Sequence, residues 1–423
     1  MNMPWRAVDP LDAKAFAEVK TAAIFDCCKW DPQVEDVCSM SPLPIVLTPA
    51  AWRELVDLAE ALAREVAEAE AAVLSEPRRL KTLGLPWRLR RRLAEPANVV
   101  SPTRHLRLIR FDFHLTSEGW RISEANSDVP GGFNEASGFT KLIAERYAEL
   151  RAASDPAEAL VRAIDRRIGR PGTVALIHAT AYSDDRQVMA YLARRLKRMG
   201  HKGLLAAPDH LIWRSGKAFV ATGAGQTPVD LIFRFFPADW LAALPWRCDW
   251  GPLLGGSLTP LCNPGLAIIC QSKRFPLLGD TLSLELPTWN ALLPRTYDVR
   301  AIQSRGASDW VFKPAFGRAG EMIGMRGATP CFEMAAIEKS VRRYPKQWVA
   351  QERFNAVPLR SAIGDVFPCI GVYTLDGTAI GAYGRIAERP LIDQSARDAA
   401  ILLPKAPVSM TASSEVVGDH GRH

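Results

Sequence analysis

The sequence lacks the features of several well-defined protein classes. Its eight cysteines include no CxxC pair, so neither a zinc site nor a disulfide framework is indicated, and we expect a reducing, cytoplasmic location. No run of about 18 uncharged apolar residues occurs, so we expect no transmembrane helix and no membrane partner. Residues 1–16 do not show the basic-then-apolar pattern of a secretory signal peptide.

Common catalytic and nucleotide-binding motifs are also missing. The absence of GxGxxG argues against a Rossmann dinucleotide site, and the absence of GxxxxGK[ST] excludes a Walker A loop. Neither GxSxG nor HExxH occurs, so a hydrolase is not expected. The net charge of +7 is compatible with an anionic nucleotide or substrate and with nucleic acid. Because the chain lacks the aromatic–basic interleaving of the common RNA-binding modules, we expect no nucleic-acid partner.

The composition is that of an ordinary globular protein. The chain has 423 residues, 48% of them hydrophobic and 23% charged, which is enough for roughly two or three packed units of about 150 residues each. A long helix is predicted to begin near Thr48, whose side chain can cap it, and Pro49 suits its first turn. Leu55, Leu62 and Val66 follow at helical spacing, so this helix should bury one face.

Two further segments have recognisable patterns. Residues 172–179, 184–199 and 202–206 indicate a strand, a helix and a strand, and residues 229–236 add another strand, which predicts a parallel α/β unit. Beyond about residue 310 the pattern changes to short strands with tight turns. A strand at 309–313 is predicted to pair with one at 321–325. The strongest hairpin signal there is the Asp376-Gly377 pair.

A polar hairpin is predicted in the segment that ends at Asn126. Strand side chains alternate between faces, so Arg110 and Asp112 share a face, as do Glu124 and Asn126 on the return strand. With a three-residue turn at 117–119, Asp112 faces Glu124 and Arg110 faces Asn126. Four polar side chains then converge on one patch.

That patch has two interpretations from the pattern alone. Directly opposed carboxylates destabilise an antiparallel pair, and a bound cation relieves the repulsion. Magnesium prefers oxygen ligands, which Asp112, Glu124 and Asn126 supply. Alternatively, the hairpin is a solvent-facing polar surface on which Arg110 neutralises its neighbours. The residues themselves leave both interpretations open.

The same residues resemble a known family. Arg110-Phe-Asp112, then Glu124-Ala-Asn126-Ser-Asp128-Val-Pro130, and then Glu135 resemble the RxD…ExNxDxP…E signature of the synthetase domain of glutathionylspermidine synthase. The resemblance extends with gaps over residues 30–403. It concerns the synthetase domain only, and the amidase domain of the bifunctional enzymes is not expected. The loop after Asp128 reads Val-Pro-Gly-Gly rather than the family's threonine-rich version, so glutathione and spermidine are not implied as substrates.

A second block, Lys313-Pro-Ala-Phe-Gly317-Arg318-Ala-Gly320, resembles the family's KPxxGRxG segment. The resemblance implies that Lys313 contacts nucleotide phosphate beneath a loop containing Gly317, Arg318 and Gly320, because glycines let backbone N–H groups approach phosphate closely. Taken alone, the block fits an ordinary glycine-rich hairpin with a lysine at its end better than a nucleotide site. The resemblance also places a second nucleotide lysine at Lys273.

Two weaker matches complete the implied site, and one acidic pair lies outside the resemblance. Gln351 and Glu352 end a strand where ATP-grasp folds hold the adenine amino group and the ribose. Arg385 matches a late arginine that faces the reaction centre. Asp184 and Asp185 have two possible roles, attraction of a cationic amine or capping of the helix that follows them.

The resemblance implies a mixed α/β ATP-grasp fold with an associated parallel, pre-ATP-grasp-like α/β unit. We expect a mainly helical N-terminal region at 1–100, a metal and substrate hairpin region at 101–170 and an α/β substrate-side unit at 171–265. A nucleotide-binding part at 266–403 and a flexible tail at 404–423 would follow.

The implied function is that of an ADP-forming ligase that uses ATP and Mg²⁺ to join a small-molecule carboxylate to an amine through an acylphosphate. Magnesium on Asp112, Glu124 and Asn126 would bridge phosphate oxygens, and lysines would hold the phosphates. Arg110 and Arg385 would orient the carboxylate and stabilise the transition state. The alternative is an ATP-binding scaffold or regulator without catalytic activity. The sequence gives no indication of the oligomeric state.

Overall fold

The computed structural model describes residues 3–6, 8–34, 36–95, 104–223, 225–245, 247–302, 310–317 and 322–405. None of the helices within these ranges has both the length and the apolar character needed to cross a membrane. The helices are α1 (Ala13–Asp26), α2 (Pro49–Ser75), α3 (Trp87–Leu93), α4 (Thr140–Ala144), α5 (Pro156–Ile168), α6 (Ser183–Arg198), α7 (Ala238–Leu241), α8 (Ile268–Gln271), α9 (Pro287–Leu292) and α10 (Cys331–Arg343). The strands are β1 (Trp5–Arg6), β2 (Gln33–Val34), β3 (Val37–Cys38), β4 (Ile45–Leu47), β5 (Leu108–Thr116), β6 (Gly119–Asn126), β7 (Leu150–Ala152), β8 (Thr173–Ile177), β9 (Lys202–Ala206), β10 (Leu211–Arg214), β11 (Lys217–Thr222), β12 (Gly225–Pro228), β13 (Leu231–Arg234), β14 (Leu261–Cys262), β15 (Thr296–Asp298), β16 (Trp310–Pro314), β17 (Gly324–Met325), β18 (Trp348–Glu352), β19 (Leu359–Ser361), β20 (Gly364–Leu375), β21 (Thr378–Ala387), β22 (Arg397–Ala399) and β23 (Ile401–Pro404).

A six-stranded antiparallel sheet supports the candidate site. Its strands follow the order β22-β21-β20-β5-β6, and β19 pairs with β20 beside this path. The alternation along β5 sends Phe111 and Phe113 into the main core, where they share a cluster with the buried face of α2. Arg110 and Asp112 therefore lie on the opposite face. One face of the sheet packs into the hydrophobic core, and the opposite face carries the polar side chains of the candidate site.

Helix α2 has the predicted start and the predicted buried face. The Thr48 hydroxyl accepts a hydrogen bond from the Ala51 N–H at 3.1 Å, and Pro49 occupies the first helical position. Leu55 and Leu62 are fully buried, as their spacing predicted. The helix thereby covers the apolar side of the large sheet.

The predicted parallel α/β unit is confirmed. Strands β14, β13, β8 and β9 form a four-stranded sheet in that order, and each neighbouring pair is parallel. Helix α6 connects β8 to β9, as expected for a parallel crossover. Apolar residues dominate β8 and β13 because such a sheet is covered on both faces.

The short strands of the C-terminal part form a second antiparallel sheet, in the order β15-β18-β16-β17. The predicted pairing of the strand at Lys313 with the one ending near Met325 is confirmed, since β16 pairs with β17. Residues 309 and 321, where two of these strands were expected to begin, lie outside the described residues. The turn between β20 and β21 has positive φ at Asp376 (48°) and Gly377 (85°), the conformation that its Asp-Gly pair predicted.

A further sheet joins distant parts of the chain, in the order β1-β4-β23-β7. Strand β23 lies between the N-terminal strand β4 and β7, which ties the end of the described chain to its beginning. Residues 406–423 of the expected tail lie outside the described residues. The mixed α/β class is confirmed, and the division into units stays a prediction.

Candidate active site

The predicted hairpin exists, with one correction to its turn. Strands β5 and β6 pair Asp112 with Glu124 and Arg110 with Asn126, as expected. Thr116 pairs with Gly119 rather than with Trp120, so the loop has two residues and the predicted three-residue turn is wrong. A β-bulge between Asp112 and Phe113 absorbs the one-residue difference and restores the predicted pairing at the site.

Both opposed carboxylates are neutralised by basic side chains. Arg110 makes a bidentate contact with Asp112, with Nε–Oδ1 at 2.7 Å and Nη2–Oδ2 at 2.9 Å. The Asn126 amide donates to Asp112 Oδ2 at 2.9 Å. Lys273 Nζ lies 2.9 Å from Glu124 Oε2. The predicted patch is therefore assembled, and its repulsion is offset within the protein.

The neighbouring strand leaves room for this ion pair. Gly371 on β20 lies opposite Asp112. A Cβ at that position would lie 2.7 Å from Arg110 Cδ and 2.9 Å from Asp112 Oδ1. On the next strand, the Tyr383 ring packs with its centroid 4.9 Å from the Arg110 guanidinium carbon, in cation–π contact. The glycine and the aromatic ring together fix the orientation of Arg110.

Glu124 is held in its ionised form. Burial by itself raises the pKa of this carboxyl, but the ammonium groups of Lys273 and Lys313 and the Arg110 guanidinium outweigh it and lower the pKa to about 2. Glu124 is therefore anionic at neutral pH. Its nearest cation is the Lys273 ammonium group.

Lys313 reaches the hairpin from the small antiparallel sheet. Its Nζ donates to the Ser123 carbonyl at 3.0 Å and to Gln351 Oε1 at 2.7 Å. Ser123 is the extra residue of the bulge, so the bulge supplies the carbonyl that receives the lysine. Burial lowers the pKa of Lys313 to about 8, with Glu124 opposing the shift and Lys273 adding to it.

Of the remaining residues predicted for the nucleotide, Glu352 lies on the same small sheet, and Lys273 and Gly317 lie beside it. Lys273 Nζ donates to the Gly317 carbonyl at 3.1 Å, which places this lysine beside the predicted glycine-rich loop. Glu352 accepts a hydrogen bond from the Tyr297 hydroxyl at 3.2 Å. Arg318 and Gly320 lie outside the described residues.

Arg385 lies on the polar face of the large sheet. Its Nη2 donates to the carbonyls of Asp393 at 2.8 Å and Ala396 at 3.0 Å. Its Nε is buried and has no hydrogen-bond partner within the described residues. Arg385 lines the same cavity as the hairpin residues.

Sequence reasoning missed a buried ionic cluster that lines the same cavity as the hairpin residues. Lys29 Nζ lies 2.5 Å from Glu135 Oε1 and 3.3 Å from Asp398 Oδ2, and the Tyr383 hydroxyl donates to Asp398 Oδ1 at 2.6 Å. Burial acts to lower the pKa of Lys29, but the two carboxylates raise it overall, so the lysine stays charged. Glu135 belongs to the family signature, whereas no local pattern signalled Asp398.

Asp128 of the family signature has a structural role. It is buried against Arg234 of β13, with Oδ1–Nη2 at 2.5 Å, and its Oδ2 accepts from the Ala238 N–H at 2.9 Å. The Asn263 amide adds a hydrogen bond to the Asp128 carbonyl at 3.2 Å. The signature loop is thereby tied to the parallel sheet.

Asp184 and Asp185 do not cap helix α6. The N-cap position is Tyr182, which makes no side-chain capping hydrogen bond, and the two aspartates lie in the first turn. The expected capping role is therefore wrong. Both residues line the same cavity as the hairpin. Their negative charges interact favourably with the positive, N-terminal end of the helix dipole.

Most of these groups line one cavity of about 730 Å³, whereas Lys273 and Arg234 lie behind its wall and do not line it. Within the described ranges, no group of three or more His, Cys, Asp and Glu side chains is arranged to hold a metal ion. The predicted metal set has two carboxylates and an amide, so a cation there needs further oxygen ligands from a substrate or water. Of the predicted site residues that the structure describes, the cavity is lined by Arg110, Asp112, Glu124, Asn126, Lys313, Gly317, Gln351, Glu352 and Arg385.

Comparisons with known proteins agree with this architecture. The family model described as glutathionylspermidine synthase preATP-grasp matches residues 42–402. A glutathione synthetase-like effector from Globodera pallida, solved in its apo form, superposes with a TM-score of 0.61 at 11% identity and covers 92% of this chain and 97% of that chain. A putative gamma-glutamylcysteine synthetase from Methylobacillus flagellatus gives a TM-score of 0.38 at 11% identity, over 78% of this chain and 82% of that chain, which is too low to carry an argument. No curated protein matched the sequence.

The similarity to the solved effector structure shows the fold alone, and it confirms the expected ATP-grasp-related architecture. The family match covers most of the chain and supports a synthetase-like ligase in general. It also agrees with the motifs around Arg110 and Lys313. The chain therefore belongs to the glutathionylspermidine synthase family.

Proposed function

We propose that this protein is an ATP- and Mg²⁺-dependent ligase that joins a carboxylate to an amine through an acylphosphate, with release of ADP. The observation that supports the proposal is that the large and the small antiparallel sheets meet at the β5–β6 hairpin. Lys313 crosses from β16 to the bulge carbonyl of Ser123, and Lys273 contacts both the Gly317 carbonyl and Glu124. Two ammonium groups thus lie beside two opposed carboxylates, the charges needed for a phosphate chain and a divalent cation.

The residues present fit a magnesium ion. Asp112 and Glu124 are directly opposed, and Asn126 lies within hydrogen-bond distance of Asp112. When bound, the ion would supply charge neutralisation for the transferred phosphoryl group. Asp112 and Glu124 would hold it, and Lys273 would turn from Glu124 to phosphate. We therefore interpret the Lys273–Glu124 ion pair as the arrangement that the two side chains adopt without ligands.

Two arginines are assigned to the acid substrate. Arg385 lines the cavity wall from β21, and Arg110 lines it from β5 with its planar fork on Asp112. Strand β20 lies between these two strands. A guanidinium that stays charged orients a carboxylate and offsets the charge that develops on it during phosphoryl transfer. Positioning and electrostatics account for this chemistry without a covalent enzyme intermediate.

The amine substrate is assigned to the side of the cavity formed by helix α6. Asp184 and Asp185 line it, and the rings of Tyr182 and Trp240 lie together there with centroids 5.6 Å apart. Carboxylates and aromatic faces both attract ammonium groups. Small-molecule acids and amines are accordingly the proposed partners, and the proposed location is the cytoplasm.

A second candidate function is an ATP-binding scaffold that does not catalyse ligation. The observation that favours it is the bidentate Arg110–Asp112 contact, which occupies a proposed metal ligand from within the protein. This scaffold would bind nucleotide and release no ADP.

Calorimetry of nucleotide binding tests the proposal. We expect ATP to bind the native chain only with Mg²⁺, and the D112N/E124Q double variant to lose that binding. The E338Q/D365N variant, with the same charge change on the surface, should bind as the native chain does. A screen of acid and amine pairs for ADP release then separates the ligase from the scaffold. Native protein that does not bind ATP in the presence of Mg²⁺ would refute both functions.

A further inference from the structure

A second cavity lies beside the candidate active site. It has a volume of about 410 Å³ and is lined by the segments that follow β8, β9 and β13. Adjacent residues separate the two cavities, since Phe235 lines the large one and Phe236 the second one. None of the residues assigned above to the ligase reaction lines the second cavity.

The position of this cavity in the parallel sheet is a preferred one for ligands. Strand β8 is followed by β9 on one side, and the chain later returns to place β13 on the other side. The order of connection therefore reverses at β8. In open parallel sheets, ligands bind in the crevice outside the carboxyl ends of the strands at such a switch point.

A buried histidine supplies a specific polar group at the floor of the cavity. His178, the residue after β8, is only 1% exposed. Its Nδ1 lies 3.1 Å from the Leu176 carbonyl, which requires Nδ1 to carry the proton. Burial lowers the pKa of His178, so the ring is neutral and Nε2 is an acceptor. Nε2 makes no hydrogen bond to the described residues, and it therefore offers its lone pair to a donor in the cavity.

The rest of the lining fits an amphiphilic, zwitterionic molecule. Phe236, Leu244 and Pro245 form an apolar wall. Asp209 and Arg247 lie at the exposed rim and carry opposite charges, so the lining favours neither a polyanion nor a polycation.

The cysteine of the same cavity does not suggest catalysis. Burial raises the pKa of Cys248, and the carboxylates of Asp209 and Asp249 add to that shift. The thiol is therefore neutral and not activated as a nucleophile. The cavity is consequently interpreted as a binding site.

From these groups we infer that the second cavity binds an aromatic α-amino acid whose side chain carries a hydrogen-bond donor. The ligand's carboxylate pairs with Arg247 and its ammonium group with Asp209 at the rim. Its ring packs against Phe236 and Leu244, and its side-chain N–H or O–H donates to His178 Nε2. This inference is independent of the ligase function.

L-tryptophan is the probe, and calorimetry on the full chain is the measurement. We expect tryptophan to bind, tryptamine and indole-3-propionate to bind at least about 10-fold more weakly, and 1-methyl-L-tryptophan about 3- to 10-fold more weakly. The R247Q variant should lose about 10-fold or more in affinity, whereas R214Q, an exposed arginine on β10, should lose none. H178F should bind tryptophan and its 1-methyl derivative equally, with folding of each variant checked by circular dichroism.

Three results would overturn the inference. The first is an absence of tryptophan binding by the native chain at millimolar concentration. The second is equal affinity for tryptophan, tryptamine and indole-3-propionate, since the rim charges would then have no role. The third is binding that is lost in the D112N/E124Q variant but unchanged in R247Q, which would place the ligand in the large cavity instead. The ligase proposal is unaffected by any of them.

Discussion

The Asp128–Arg234 pair should contribute more to stability than any exposed ion pair of similar geometry. Their side chains are 3% and 0% exposed, and they join the signature loop to strand β13. Replacing Arg234 with methionine keeps much of its volume and removes the guanidinium. The Asp128 carboxylate would then remain buried with the Ala238 N–H as its remaining hydrogen-bond donor in the described chain.

The size of the effect follows from what is left unpaired. Removing one partner of a buried ion pair costs about 3–5 kcal/mol. Arg234 also donates to the carbonyls of Asn263 at 2.9 Å and Phe236 at 2.6 Å, and these acceptors lose that partner as well. We therefore expect R234M to lower the free energy of unfolding by about 3–5 kcal/mol. D128N, which keeps the side-chain shape and leaves those carbonyl contacts intact, should cost about 1–3 kcal/mol.

Urea denaturation followed by far-UV circular dichroism measures these differences. The R234M/D128N double variant should lose less free energy of unfolding than the sum of the losses of the two single variants. The reason is that the double variant contains neither buried charge, so no charge is left without its partner. Arg170 and Asp230 provide the matched control, at 2.6 Å but with the arginine side chain 65% exposed. R170M should cost about 1 kcal/mol or less. An R234M variant within 1 kcal/mol of the native chain would refute the reasoning.

Three further outcomes are expected. Because burial lowers the pKa of Lys313 to about 8, its charge is lost as the pH rises through 8, so calorimetric ATP affinity should fall between pH 7 and 9.5 in the native chain and stay flat in K313R. Although burial opposes it, the neighbouring cations lower the pKa of Glu124 to about 2 from 4.5, so the stability from Glu124 is present above pH 4.5 and lost as the pH falls through 2. Urea midpoints should therefore decline less between pH 5 and 2 in E124Q than in the native chain. K29M should lower the free energy of unfolding by about 3–5 kcal/mol, because Glu135 and Asp398 lose their common buried cation, and the K29M/E135Q variant should recover part of that loss.

The hairpin shows how far local pattern determines the candidate site. Period-two alternation placed Arg110, Asp112, Glu124 and Asn126 on one face, and the structure has them there. The turn length was wrong by one residue, yet the pairing at the site was right because the bulge at Ser123 compensates. Such a bulge has no signature in the local residues, since it reflects how the strand fits its neighbours.

Contacts between distant residues were beyond the reach of the sequence. Lys29, just after α1, contacts Asp398 on β22, although nearly the whole described chain separates them in sequence. No periodicity in the sequence relates two residues so far apart. The role of Asp128 was hidden for the same reason, since its partner Arg234 belongs to the parallel unit. Resemblance to a family indicated which residues matter, and only the tertiary structure separated the chemical ones from the structural ones.

The ion pairs of the site offset the charge repulsion within the hairpin, and in the proposed function they would be exchanged for contacts with charged ligands. Asp112 and Glu124 repel each other across the hairpin, and Arg110 and Lys273 offset that repulsion. The two cations differ in their constraints. Arg110 is fixed by a bidentate contact and an aromatic ring, whereas Lys273 makes single contacts through a flexible stem. Lys273 is therefore the group most easily transferred to phosphate, which would leave Glu124 free to receive a divalent cation.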